Sequence, residues 1–424
     1  MKKFLKVLLI VFGSILFIYL CLLFINIFAA GNLKRYINTF DSVEYVNQLT
    51  PEVDENGYVT FVTDDDFRVM EINDIHIGGG AWSLKKDKKS VYEVMTMIQK
   101  EKPDLVILNG DNVFAVPGPV FNGGGTLNNK MAAKQINRMF ERLGVYYSTT
   151  FGNHDTEAFD YYSREAIGKL YNKADHCLFA SNFSGYGVSN QCILLKNTSG
   201  KITKAFMLID SNDYIDNSIM SSINWMYDTI NDSQVEWAKG VIEDLSTKQG
   251  ELVKSFYFFH IPTGEFETAY KELKDNDFKD TADAKYITGV WDELVDEELG
   301  GRVWYGGCHS DLAPNDNDQL FEVLGPDGIG SMEAIFVGHD HVNNGVVEYK
   351  GVVLAYCLSI DNLAYDDVCL SGRQRGATVI TVSSDGSWDF KQKNAYIDYG
   401  VGTDKFYDVY LDKYYYEGEL PKLK

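Results

Sequence analysis

A chain of 424 residues, 45% hydrophobic and 24% charged, can bury a sizeable core, which excludes wholesale disorder. Its formal net charge of -22 opposes a phosphate backbone, so no nucleic-acid groove is expected. The length suits one large catalytic domain of the layered α/β or sandwich kind, with long loops.

Lys2, Lys3 and Lys6 precede an uncharged, mostly apolar run from Val7 to Ala30. As a helix that run would extend about 36 Å, enough to cross a bilayer. Residues 1–31 therefore read as an N-terminal membrane anchor, and the alternative is a signal sequence cleaved near Ala29, Ala30 and Gly31. The lysines before the span outnumber Lys34 and Arg35 after it, which favours a single-pass protein of the cell membrane with its catalytic domain outside the cytoplasm. Cleavage would make the same domain a secreted one.

Residues 32–56 are polar and irregular and read as a stalk, followed by a catalytic domain over 57–393 and a tail over 394–424 rich in tyrosine and aspartate. Within the domain, Tyr58 to Val62 reads as a first strand and Phe67 to Ile72 as a buried one. Val91, Val94, Met95 and Ile98 then follow helical spacing, Leu105 to Leu108 is apolar again, and Ala132, Ile136, Met139 and Leu143 mark a helix closed by Gly144. Val145 to Thr150 is the next strand. Alternating strands and helices imply parallel pairing, with ligand sites beyond the strand carboxyl ends.

Further strands are predicted over Gln191 to Leu195, Ala205 to Ile209, Val253 to Phe259, Ala334 to Val337, Val352 to Tyr356 and Thr378 to Val382, with a helix starting from Ser233 as N-cap. The fold class expected is α/β, two mixed β-sheets packed face to face with helices on the outer faces. Ala115 to Gly125 and the acidic segment 265–331 break the alternation, and the latter reads as an insert that either covers the site or decorates the surface. Cys177, Cys192, Cys308, Cys357 and Cys369 make no disulfide framework; Cys177/Cys192 and Cys357/Cys369 are the pairs nearest in sequence, and free buried thiols fit equally.

The chemistry gathers at strand ends. Asp74-Ile75-His76 follows one strand, Gly110-Asp111-Asn112 the next, and Gly152-Asn153-His154-Asp155 the third. His260 closes the run Phe256 to Phe259, and Gly338-His339-Asp340-His341 closes Ala334 to Val337. On an extended chain, Asp74 with His76, and His339 with His341, would each point to one centre. Singly, Asp74-Ile75-His76 and Gly110-Asp111-Asn112 read as ordinary turns and His260 as a structural histidine, whereas Gly152-Asn153-His154-Asp155 is harder to dismiss as a turn and Gly338-His339-Asp340-His341 is the strongest single motif. Together they place five of the seven histidines just past strands, beside aspartate, asparagine or another histidine. Oxygen and imidazole donors without cysteine suit manganese, iron or zinc. Arg373 and Arg375 read as exposed arginines in a turn.

In order and rough spacing this set resembles the calcineurin-like metallophosphoesterases, in the branch neighbouring the purple acid phosphatases. The resemblance implies two divalent metal ions, one on Asp74, His76, Asp111 and His341, the other on Asp111, Asn153, His260 and His339. It also implies hydrolysis of phosphate monoesters or diesters by a metal-activated water. The substrate would be a small phosphate ester or a phosphate-containing component of the envelope. Where the purple acid phosphatases carry a tyrosine three positions after the bridging aspartate, this chain has Phe114, so their violet iron band is not expected. His154 lies outside the ligand set and would act as the leaving-group acid, with Asp155 as its orienting carboxylate. The alternative is a metal-bound sensor or binding protein on the same fold.

Overall fold

A strand that is buried on both faces needs a packed layer on each side, and the central strands of this chain are of that kind. In the computed structural model, which describes all residues except 1, 116–127, 181, 217, 290–318, 342, 365–374 and 402–424, they form two sheets. The strands are β1 (Glu52–Val53), β2 (Val59–Val62), β3 (Phe67–Ile72), β4 (Leu105–Asn109), β5 (Tyr147–Thr150), β6 (Gln191–Lys196) and β7 (Ile202–Leu208). They continue with β8 (Ser255–Phe258), β9 (Ala284–Thr288), β10 (Met332–Val337), β11 (Val346–Tyr349), β12 (Val352–Tyr356), β13 (Gly376–Val382) and β14 (Trp388–Asn394). The helices are α1 (Lys2–Ile37), α2 (Leu84–Glu101), α3 (Asn129–Leu143), α4 (Arg164–Tyr171), α5 (Ile219–Ile223), α6 (Asp232–Gln249), α7 (Gly264–Asp275) and α8 (Leu320–Leu324).

One sheet has the order β14-β13-β3-β4-β5, the other β1-β2-β6-β7-β8-β10-β12-β11-β9. Both are mixed. Period-two alternation sorts each strand between layers. Phe67 and Val69 of β3, with Leu105 and Ile107 of β4, face an inner core shared with Phe206, Phe256, Phe258 and Phe336 of the other sheet. Met70, Ile72, Val106 and Leu108 face outward onto α2 and α3. On the far side, Tyr257, Ile335 and Val337 pack under α6 and α7. The result is the expected α/β sandwich with outer helices.

The helix ends follow local chemistry. Gly144, at φ 68°, takes the left-handed conformation that closes α3, and its amide donates to Phe140 O. The cap of α6 falls on Asn231, two residues before the serine expected, because Gln234 completes a capping box with it.

Three boundaries differ from the sequence reading. The stalk is not loose: α1 runs on to Ile37, and Leu33 and Ile37 are wholly buried against α2 and α3. Leu33, Tyr36, Ile37 and Phe40 carry helical spacing that the surrounding polar residues obscure. The ends of segment 265–331 belong to the domain, since Phe266, Ala269, Leu273, Leu320 and Leu324 are core residues and β9 pairs with β11. The rest of that segment, the Gly/Pro-rich stretch from residue 116 and most of the tail lie outside the described residues. Of the tail, Ala395, Tyr399 and Val401 pack into the core beside α2.

Cys177, Cys192 and Cys357 are free thiols, so the pairing of Cys177 with Cys192 is not present, and Cys369 lies outside the described residues. Among the described residues α1 alone is long and apolar enough to cross a membrane, and its apolar window is exposed throughout.

Candidate dimetal centre

Parallel pairing of β3 with β4 and β4 with β5 in one sheet, and of β8 with β10 in the other, sets five carboxyl ends along one edge of the sandwich. Hydrogen bonds stitch the two sheets together at this edge: Asn109 Nδ2 donates to Phe336 O at 2.9 Å and His339 N to Asp74 Oδ2 at 3.2 Å, while Gly338 N to His260 O at 3.1 Å ties β10 to β8 within one sheet.

The chain does not leave these strands extended. Asp74, His76, Asp111 and His339 all have positive φ, between 49° and 71°. Asp and His tolerate this region better than most residues, yet each such position costs about 1–3 kcal/mol that the surroundings must hold. Backbone bonds supply the hold: Asp74 N to Gly110 O at 3.1 Å and His76 N to Asp111 O at 3.0 Å. The kinked path also separates the histidines of the last motif, which an extended chain would have pointed together. His341 turns to Asp74, and His339 groups with His260.

Two groups of ligand atoms result, each within 4.8 Å throughout: Asp74, His76, Asp111 and His341, and Asp111, His260 and His339. Asp111 is common to both. His341 Nε2 lies 3.0 Å from Asp74 Oδ1, and His260 Nε2 lies 3.0 Å from Asp111 Oδ2. Glycines make the room. A Cβ on Gly152 would stand 2.2 Å from Asp111 Oδ1, and one on Gly110, at φ 91°, would meet the His260 ring at 2.7 Å. Asn153 has its Nδ2 held by Tyr214 Oη at 3.2 Å, while its Oδ1 is buried with no hydrogen-bond partner. A buried amide oxygen without a hydrogen-bond partner, on the residue between Gly152 and His154, both of which approach Asp111, fits a metal ligand and would otherwise be costly.

Neighbouring charges set the protonation of these side chains. Burial works against ionisation of Asp111, but His260 and His154 hold its carboxyl well below the ordinary range. Burial likewise opposes protonation of His76, and Asp361 and Asp111 prevail, raising it to about 9. Asp361 was not apparent as a site residue in the sequence. Its carboxylate lies 3.2 Å from His76 Nδ1 and 3.0 Å from His341 Nδ1, leaving both Nε2 atoms to the centre. His260 Nδ1 is turned likewise to Asn109 O at 3.0 Å. Arg375 is buried, contrary to its expected exposure, and its Nε and Nη2 donate to the Asp361 carbonyl at 2.9 and 2.7 Å. Arg373 lies outside the described residues.

His154 sits at the mouth. Its backbone N donates to Asp111 Oδ1 at 2.7 Å, its ring stands edge-on to Phe114, and Phe114 stacks flat on His76. The carboxylate at its Nδ1 is Glu157, at 2.6 Å, and not Asp155. Asp155 is buried below, where it accepts from Gly152 N at 2.9 Å and Val113 N at 3.1 Å; burial and then Asp111 raise it to about 7. Adjacent residues on a turn diverge, whereas Glu157 three positions on comes back to the ring.

Residues 67–343 match the calcineurin-like phosphoesterase family, and the chain belongs to it. It is 24% identical over 366 residues to probable inactive purple acid phosphatase 29 of Arabidopsis thaliana, covering 78% of this chain and 80% of that protein. Probable inactive purple acid phosphatase 14 of the same plant is 24% identical, covering 74% and 75%. A third relative there, probable inactive purple acid phosphatase 28, is 21% identical, covering 73% and 74%.

Proposed function

We propose that the protein is an active metal-dependent hydrolase of phosphate monoesters or diesters, working outside the cytoplasmic membrane. The observation that carries this reading is the pair of donor groups sharing Asp111, with His154 beside them. Two divalent ions held there would polarise the phosphoryl group, activate water and neutralise developing charge.

The chain's own residues do the rest. Asp74, His76, Asp111 and His341 would hold one ion, and Asp111, Asn153, His260 and His339 the other. Asp361 and Asn109 O fix which imidazole nitrogen faces inward, as outer partners of metal-bound histidines do. Glu157 holds His154 by Nδ1, so Nε2 is the atom that gives a proton to the departing oxygen. A protein that only sensed or bound metal would need no such group at the mouth. Export rests on α1, whose apolar length suits a membrane span.

The test is hydrolysis of p-nitrophenyl phosphate and bis-p-nitrophenyl phosphate by the purified protein with manganese, iron or zinc. Turnover of either supports the reading; metal bound with neither ester cleaved would favour a binding protein.

A further inference from the structure

We propose that the rim of this site rests on the bilayer that α1 enters, so that the substrate is a phosphate ester carried on a membrane lipid. The substrate half of this rests on the hydrolase reading above.

The apolar part of α1 fits a bilayer in length. Val7 to Ile25 is uncharged, side chains along it such as Phe12, Phe17 and Phe24 are exposed, and it would span about 29 Å, against about 30 Å of hydrocarbon. Asn26 interrupts the apolar run, and there the helix meets the domain: Asn26 Oδ1 accepts from Ala81 N at 2.9 Å. Leu33 and Ile37, both wholly buried, lock the continuation in place. A helix so clamped gives the domain a fixed attitude to the membrane.

That attitude presents the catalytic edge. The loop at Ala81 follows His76, and the loop after His154 reaches α1 at Tyr161, whose hydroxyl lies 3.4 Å from that of Tyr19. Tyr19 is seven residues before Asn26, about 10 Å deeper along the helix axis, so Tyr161 reaches below the headgroups to the depth at which interfacial side chains enter the acyl boundary, about 5–10 Å. The same loop is tied to α5, where Ser222 Oγ donates to Glu157 Oε2 at 3.0 Å.

These segments carry large apolar side chains in the open. Trp82 is 57% exposed and Tyr161 51%, and on or beside α5 Ile219, Met220, Ile223 and Trp225 are 56–66% exposed. Such a set on short loops is unfavourable in water, whereas tryptophan and tyrosine favour the membrane interface. The continuity of the rim with α1, through Asn26 and Tyr19, identifies the bilayer holding α1 as what covers it. A lipid would keep its chains in the membrane while its phosphate reaches the donor groups. Water oxygen adds to phosphorus, the phosphorus–oxygen bond to the lipid alcohol breaks, and that oxygen leaves with a proton from His154.

Full-length protein in nanodiscs tests both halves. Lipids brominated near the headgroup should quench wild-type tryptophan emission at least twofold more than that of the Trp82→Phe/Trp225→Phe variant; equal quenching would overturn the contact. With phosphatidic acid and phosphatidylglycerol in the disc, Ile219→Glu/Ile223→Glu should lose at least tenfold in lipid hydrolysis while cleaving p-nitrophenyl phosphate at the wild-type rate. An unchanged ratio, or wild-type cleavage of the soluble ester with neither lipid touched, would overturn the substrate assignment. Wild type that cleaved nothing but was quenched would overturn the hydrolase reading and leave the bilayer contact standing.

Discussion

Asp361 Oδ2 lies 3.0 Å from His341 Nδ1, across the imidazole from the Nε2 that faces Asp74. With its other oxygen on His76, one carboxylate fixes two of the four donors of the first group. Asp361→Ala should therefore weaken metal binding about 10- to 100-fold, the range such outer partners usually carry. Competition with a chromophoric chelator measures it, and wild-type affinity in the variant would show that the imidazoles are positioned by packing alone.

His154 and Glu157 make a second separable unit, since neither is in a donor group. His154→Ala should lower kcat on a poor leaving group by about 10²- to 10⁴-fold with both metals retained. The loss should shrink on p-nitrophenyl esters, whose leaving oxygen needs no proton. Glu157→Gln, which can still hold the ring, should be milder than Glu157→Ala. Equal losses on good and poor leaving groups would argue for a structural role.

The legibility of the site in the sequence follows from the same geometry. The seven proposed ligands stand directly behind apolar strands, and a polar residue ending such a run is visible without a structure. Asp361 stands five residues beyond β12, the parallel neighbour of β10, and the strand-end argument extended to β12 would have reached it. Glu157 was hidden because adjacency favoured Asp155, although a turn sends adjacent side chains apart. The sandwich was legible from unbroken apolar strands. The edge strand β9 and helix α7 were not, because an acidic surface masks their half-buried pattern, and the docking of residues 33–40 was lost among polar neighbours.

Glu71 offers a pH signature in the fold beneath the site. It is wholly buried, accepts from Asn73 Nδ2 at 2.9 Å, and burial pushes its carboxyl up to about 8. Between about pH 4.5 and about 8 the folded state keeps a proton that the unfolded chain has lost. Stability from this group is thus complete below that window, falls by about 1.4 kcal/mol per pH unit across it, and is level above. Glu71→Gln removes the slope, so thermal melts of variant and wild type should diverge in favour of the variant as pH rises from 5 to 8. Parallel curves would show that Glu71 is ionised in the fold.

The account turns on whether the two donor groups work as a catalytic pair. Metal-free protein titrated with manganese, with bound metal and turnover of p-nitrophenyl phosphate followed in the same sample, tests that most directly. Activity should rise as the second equivalent binds and stay at its maximum thereafter. Two equivalents bound with no turnover of this ester or its bis-ester would contradict the account and leave a binding protein on a phosphoesterase fold.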